Sequence, residues 1–429
     1  MARRYFQAVL VLLFLMTALH AQTGRPSGLP DESASAIAEM HRSDTLAVGF
    51  RFANEFDDNA LNNNRSKQSN LMTVIEPRVT WKVSRTRLEW LLSYSNGFAI
   101  SQQLPAYNSQ SHSLDVGLGF RQTKRLRFSL KNSFLKSTNP FDFFRAPSAG
   151  SLSQPNDSLL TATANRSSEQ AGAEATYVLS RHSTAGVSGS LSSLRYSAAA
   201  TNQFPLQFLG NESSTGGSIF YSLHVSRRQW ARVDYGAQRI VFSGRSSLVQ
   251  NVFYTHTVSL SSAATFSVFA GPERATSDLS RAVRLSAGPI SASPATWHWA
   301  GGGTYNWRTA GRHLTLGFYR KVSSESGLLG ATWLSSVTAE WQQRITPRWT
   351  ADLAGAYDHS KTLDVPRNDL SFTWAAAGLT RTLKQGVSVE AKYWRVHQST
   401  DTPGARSLVA DHNRVSVSLG YDFKAQLNR

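Results

Sequence analysis

The sequence predicts an all-β chain, a transmembrane antiparallel up-and-down β-barrel of about eighteen strands, with sixteen also admissible. Three observations predict it: a two-residue alternation of apolar and polar side chains along most of the chain, connections that alternate between long and short, and aromatic side chains gathered near the short ones.

The first residues set the compartment. Arg3 and Arg4 precede an apolar run from Ala8 to Leu19, and Ala18 and Ala21 put small residues where a signal peptidase cuts. Residues 1–21 therefore read as a Sec-type signal peptide. The run is shorter than the roughly 20 apolar residues that a spanning helix needs. Residues 22–43 form a short N-terminal segment, periplasmic or lumen-facing, and within it 31–42 has helical spacing, with Ile37 and Met40 close together. The barrel proper is expected over 44–423, with 424–429 as a C-terminal tail. The chain has no cysteine, so neither a lipid-attachment thiol nor a disulfide can form.

Alternation fixes the element type. Leu46, Val48, Phe50 and Phe52 alternate with Ala47, Gly49, Arg51 and Ala53, a period of two that no helix face produces. The same pattern recurs at Leu114 to Phe120, Leu126 to Leu130, Trp349 to Leu353, Val387 to Tyr393 and Val415 to Phe423. Each strand is expected to cover about ten residues, enough to cross the hydrocarbon when tilted.

Loop lengths separate a membrane barrel from a soluble sandwich, since outer-membrane barrels have short periplasmic turns and long external loops. Long connections are expected at 57–70, 96–111, 137–167, 198–213, 271–294 and 361–368. Short ones follow at 84–86, 123–125, 181–183, 226–228, 309–311, 346–348 and 384–385. Long precedes short from the start, as periplasmic termini require. Pro77 falls inside an expected strand, where it demands a bulge or a later strand start.

Trp81, Trp90, Trp230, Trp341 and Trp349 lie near short turns, and Tyr421 and Phe423 near the end of the last strand. They are candidates for an aromatic girdle at the membrane interface.

With these features the chain resembles Gram-negative outer-membrane β-barrels, and among them the larger porins. The resemblance lies in pattern and in the final strand, 414–423, which alternates and closes on an aromatic like the assembly signal of such proteins. Six further residues follow it, a departure. The resemblance implies a cell outer-membrane location after signal-peptide cleavage, contact with outer-membrane lipids, and recognition by the barrel-assembly machinery. It implies a porin-like channel for passive diffusion of small hydrophilic solutes. A barrel for exopolysaccharide export and a structural or adhesive barrel are the alternatives. Oligomeric state is left open.

The charge sharpens the channel reading. Lys and Arg total 45 against 28 Asp and Glu, a net charge of +17, and the export signal argues against nucleic acid as the partner. Taking the polar phase as inward, Arg51, Arg78, Lys82, Arg87, Arg127, Lys131, Arg195, Arg232 and Lys392 are candidate pore-lining residues. Glu76, Glu89, Asp115, Asp234, Asp352 and Glu390 stand against them. Fixed cations favour anions in a pore, whereas paired charges cancel, and sequence leaves both open. Phe141, Asp142, Phe143, Phe144 and Arg145, in the longest internal loop, are candidates for a constriction loop. No nucleophile elbow, phosphate loop, paired-histidine metal spacing or dinucleotide fingerprint is present. Neither an enzyme nor a cofactor is expected.

Overall fold

The computed structural model describes residues 43–138, 164–198, 210–242, 245–278, 295–323, 331–363, 369–384, 386–401 and 408–427. The expected signal peptide, the N-terminal segment with its helical stretch, and the constriction-loop residues Phe141 to Arg145 lie outside them. Eighteen strands alternate with turns and loops. In order they are β1 (Ser43–Asp57), β2 (Asn70–Ser84), β3 (Leu88–Ser101), β4 (Ser109–Arg121), β5 (Leu126–Ser137) and β6 (Ala164–Val178). Next come β7 (Ser183–Ala198), β8 (Glu212–Ser226), β9 (Gln229–Phe242), β10 (Arg245–Ser259), β11 (Ala264–Asp278) and β12 (Thr296–Thr309). The last are β13 (Arg312–Ser323), β14 (Thr332–Thr346), β15 (Trp349–Thr362), β16 (Asp369–Lys384), β17 (Val387–Asp401) and β18 (Leu408–Gln426).

Each strand pairs antiparallel with its sequence neighbours, and β1 pairs with β18 from Thr45 opposite Gln426 to Asp57 opposite Arg414. The sheet is therefore closed. Closure pairs the edges that a bilayer would otherwise leave without hydrogen-bond partners. The strands run 12 to 19 residues, longer than the membrane crossing alone needs. Two expected loops shrink accordingly. β3 continues to Ser101 and β4 starts at Ser109, with a 3-10 turn at Pro105–Tyr107 between them, and β11 continues through Gly271 to Asp278. Polar side chains keep pairing above the hydrocarbon, where a pattern tuned to lipid contrast gives no signal.

Five of the short turns share one device. Thr123, Ser180, Ser226, Ser261 and Thr346 each accept a hydrogen bond on the side-chain hydroxyl from the backbone N–H two residues on, at 3.1–3.3 Å. A hydroxyl in this position mimics a backbone turn and holds the chain reversal without a glycine.

Register assigns faces, because residues opposite each other in an antiparallel pair project to the same side. On β1, Val48, Phe50 and Phe52 point outward and remain exposed, while Ala53 and Glu55 point inward and are fully buried. Phe50 faces Tyr421 and Phe52 faces Leu419 across the closing seam, and Ile219, Val233, Phe318 and Leu353 continue the apolar belt. Such a surface is stable only against hydrocarbon. Among the described residues no helix is long and apolar enough to span. Pro77 points outward opposite Phe50, and the β2–β3 ladder breaks there, between the pairs Ile75–Phe98 and Arg78–Ser95. The missing N–H is thus placed where pairing is interrupted.

One seam is incomplete. β12 pairs with β11 up to Thr296, but with β13 only up to Gly301 opposite Arg320. The upper end of β13 turns inward, and Val322 packs with Ile240, Val249 and Ala275. Trp297 and Trp299 on β12 are left 67% and 76% exposed on the outside.

Candidate functional site: the lumen wall

The inner wall has two unlike halves. From β9 to β18 its upper part carries apolar groups: Phe253, Phe269 and Ala300 with Tyr319, and Phe372 and Val396 with Trp374. These are buried. From β1 to β5 a smaller buried apolar group, Ala53, Met72, Val74 and Ala99, sits above a polar stretch of wall with Arg51, Arg78, Lys82, Arg127 and Lys131 inward by register. The basic groups of that half are brought together by neighbouring strands.

Most of them have acidic partners. Arg78 donates from Nη2 to both oxygens of Asp422 at 2.6 Å and from Nε to Oδ1 at 3.1 Å. Arg51 lies 3.5 Å from Glu55 and 3.8 Å from Glu76, and Arg127 lies 3.6 Å from Glu89. Lys392 is 3.6 Å from Asp352, with its ammonium 5.4 Å from the Trp394 ring centroid. Arg232 donates to Asp234 at 2.7 Å and stacks 3.7 Å over the Phe220 ring.

Glycine makes three of these pairs possible. Gly49 lies directly opposite both Arg78 on β2 and Asp422 on β18, so the ion pair closes over it from strands that are not neighbours. Gly378 stands in the same way between Asp352 on β15 and Lys392 on β17. At Gly119 the Glu89 carboxylate leans across from β3 towards Arg127 on β5. A Cβ at Gly49 or Gly378 would collide with the paired charges. Glycine here is a gap that lets long side chains meet across a strand.

Burial hides part of the acidic wall and leaves Glu76, Glu89, Asp115, Asp352, Glu390 and Asp422 partly accessible. Inward Glu55, Asp57, Glu212, Asp234 and Glu273 are each at most 5% exposed. Of the inward bases, Arg414 and Lys321 are comparably hidden, and Arg414 donates to Glu55 beside the His412–Asp57 contact at 3.1 Å. Lys131 and Arg78 remain exposed, and Lys82 partly so. Along β1 to β5 a solute therefore meets more accessible cation than anion.

Three expected placements are corrected. Arg195 points outward, since it pairs with Ser167 on the lipid-facing phase of β6. Its neighbour Leu194 points inward and is buried, an inversion of the polar-in rule near the top of the strand. Arg87 lies in the exposed turn before β3 instead of on the wall. Trp230 faces the lumen opposite Thr257 and donates its indole N–H to His224 at 3.0 Å, which removes it from the outer girdle. Trp81, Trp90, Trp341 and Trp349 point outward, with Trp81 and Trp90 edge to face at 6.2 Å and Arg381 5.3 Å from the Trp349 ring centroid. Tyr421 and Phe423 are also outward. Tyr177, Trp297 and Trp299 share that face and went unselected, because their segments alternate weakly.

A closed eighteen-stranded antiparallel sheet with an apolar outer belt and a charged interior defines the class: an outer-membrane β-barrel. No family model matches the sequence, and no curated protein matches it. Among solved structures, the chain is similar to OccAB4 of Acinetobacter baumannii, at a TM-score of 0.45 and 10% identity over 90% of this chain and 100% of that one. It is similar to OccK2 (OpdF) of Pseudomonas aeruginosa in complex with glucuronate, at 0.44 and 11% over 90% and 98%. Similarity to Pseudomonas aeruginosa OpdK with vanillate is 0.41 and 9% over 89% and 99%.

Proposed function

We propose that the barrel is an outer-membrane channel through which small hydrophilic solutes diffuse passively, with a preference for anions. The observation that carries this reading is the excess of accessible cations on the wall of β1 to β5. On β1 to β5 the accessible inward cations Arg78, Lys82, Arg127 and Lys131 outnumber the accessible inward carboxylates Glu76, Glu89 and Asp115, while Glu55 and Asp57 are hidden. A fixed cation lowers the cost of bringing an anion into a low-dielectric passage and raises it for a cation. The ion pairs moderate the effect, since a neutralised arginine attracts weakly, so the preference is modest.

On this reading the first 21 residues direct export and are cleaved, the short turns face the periplasm, and the last strand is read by the barrel-assembly machinery. Phe141, Asp142, Phe143, Phe144 and Arg145, in the loop 137–167, remain the proposed constriction. No chemistry beyond passage is required of the chain.

The test is solute flux into proteoliposomes. Glucuronate and vanillate serve as anionic probes, glucose as a neutral one and glucosamine as a cationic one. Faster uptake of the anions than of glucosamine is expected. Equal rates for glucuronate, glucose and glucosamine would leave a pore without charge preference, and no uptake at all would remove the channel.

A further inference from the structure

We infer that the outer face of β5 to β11 carries a docking arc for a phosphorylated glycolipid of the outer leaflet. Lys136 on β5, Arg195 on β7, Arg239 on β9 and Arg274 on β11 all point away from the lumen. Each stands about ten residues beyond the periplasmic end of its strand, which is the length of one membrane crossing. The four cations thus lie at the level where lipid headgroups begin.

They recur on every second strand, and Lys136 and Arg195, both opposite Ser167, lie roughly 10 Å apart across the sheet, the reach of a phosphorylated disaccharide. Between them the outward positions carry Ser167 on β6, Ser213 and Thr215 on β8, and Gln250 on β10. These supply hydrogen bonds to sugar hydroxyls. Trp297 and Trp299, strongly exposed beside Arg274, end the arc with the amphipathic rings that such an interface favours.

Pairing distinguishes this arc from the rest of the rim. None of the four cations has a carboxylate within ion-pair distance among the described residues. On the opposite side, outward Lys361 is 3.2 Å from Asp369 and outward Arg395 is 3.1 Å from Asp411. Glu169 is the one outward carboxylate among the described side chains from β5 to β13, and it contacts Asn132 at 3.5 Å. The unpaired cations need an external anion, and the membrane level selects a lipid phosphate over a soluble one.

The test uses the full refolded protein, with purified bisphosphorylated lipid A, its monophosphorylated form and phosphatidylethanolamine as probes. In native mass spectrometry, K136Q/R195Q/R239Q/R274Q is expected to lose at least tenfold in affinity for bisphosphorylated lipid A, with phosphatidylethanolamine unaffected. K361Q/R395Q is expected to bind like wild type. Unchanged binding by the quadruple variant, or equal loss in the double variant, overturns the inference. A change of oligomeric state with lipid A binding intact also overturns it, in favour of a second copy of the chain on this face. Should the quadruple variant not fold, wild type decides: affinity that does not fall from the bisphosphorylated to the monophosphorylated lipid overturns the docking arc.

Discussion

The backbone N–H of Val322 donates to Oε2 of Glu273 at 2.7 Å, joining β13 to β11 across the intervening β12. β13 has left its ladder to do so, since its pairing with β12 stops at Arg320. Next to this bond the His298 and Trp333 rings lie 4.6 Å apart, and Arg320 sits 5.0 Å from the Trp333 ring centroid. The upper end of the β13–β14 hairpin is therefore held inside the barrel mouth by one hydrogen bond and a small apolar cluster.

Replacing Glu273 by alanine removes the acceptor of that N–H and leaves a buried donor, at a cost of about 1–3 kcal/mol. The expected outcome is a larger single-channel conductance, as the end of β13 swings back toward β12, with a lower unfolding temperature. Glu273→Gln retains an oxygen acceptor and is expected to stay near wild type in both. Single-channel recording and thermal unfolding in detergent check the pair.

The closing seam depends on a buried ion pair. Arg414 and Glu55 are 2% and 0% exposed and meet where β18 joins β1. Arg414→Met leaves the buried Glu55 carboxylate with Arg51, at 3.5 Å, and is expected to cost up to about 3–5 kcal/mol, whereas E55Q/R414M is expected to recover much of the loss. Refolding yield read by heat-modifiable gel mobility, together with denaturant titration, distinguishes the two. Equal destabilisation in both variants would show that the pair is not the source.

The assignment of faces makes a further claim. Phe50, outward and opposite Tyr421, is expected to lose about 2–4 kcal/mol on replacement by arginine, because the charge enters hydrocarbon. Ser95 is inward on β3, and Ser95→Arg faces the wet lumen without that cost. Titration of both variants in lipid vesicles compares them.

Where the lipid contrast was strong, the sequence was readable. Phe50, Phe128, Leu353 and Val417 sit outward as their alternation requires, and eighteen strands close as the loop lengths imply. Near the outer interface the contrast reverses. Arg195 and Arg239 point out while Leu194 and Ile240 point in, so the rule that places polar groups inside misassigned Arg195. Trp230 was misplaced because proximity to a turn says nothing of phase, which its two-residue offset from inward Arg232 settles. The glycine-bridged pairs were illegible for a different reason: Gly49, Arg78 and Asp422 meet only once β1 lies between β2 and β18. That is a property of closure and not of any local window.

We propose that accessible cations on β1 to β5 bias the lumen toward anions. The most direct test is the zero-current potential of the refolded protein in a planar bilayer under a potassium chloride gradient, for wild type and for K82E/K131E. A chloride-preferring sign is expected in wild type, and a shift toward potassium in the variant with conductance largely retained. A potassium-preferring wild type, or a zero-current potential untouched by the two charge reversals, would contradict it.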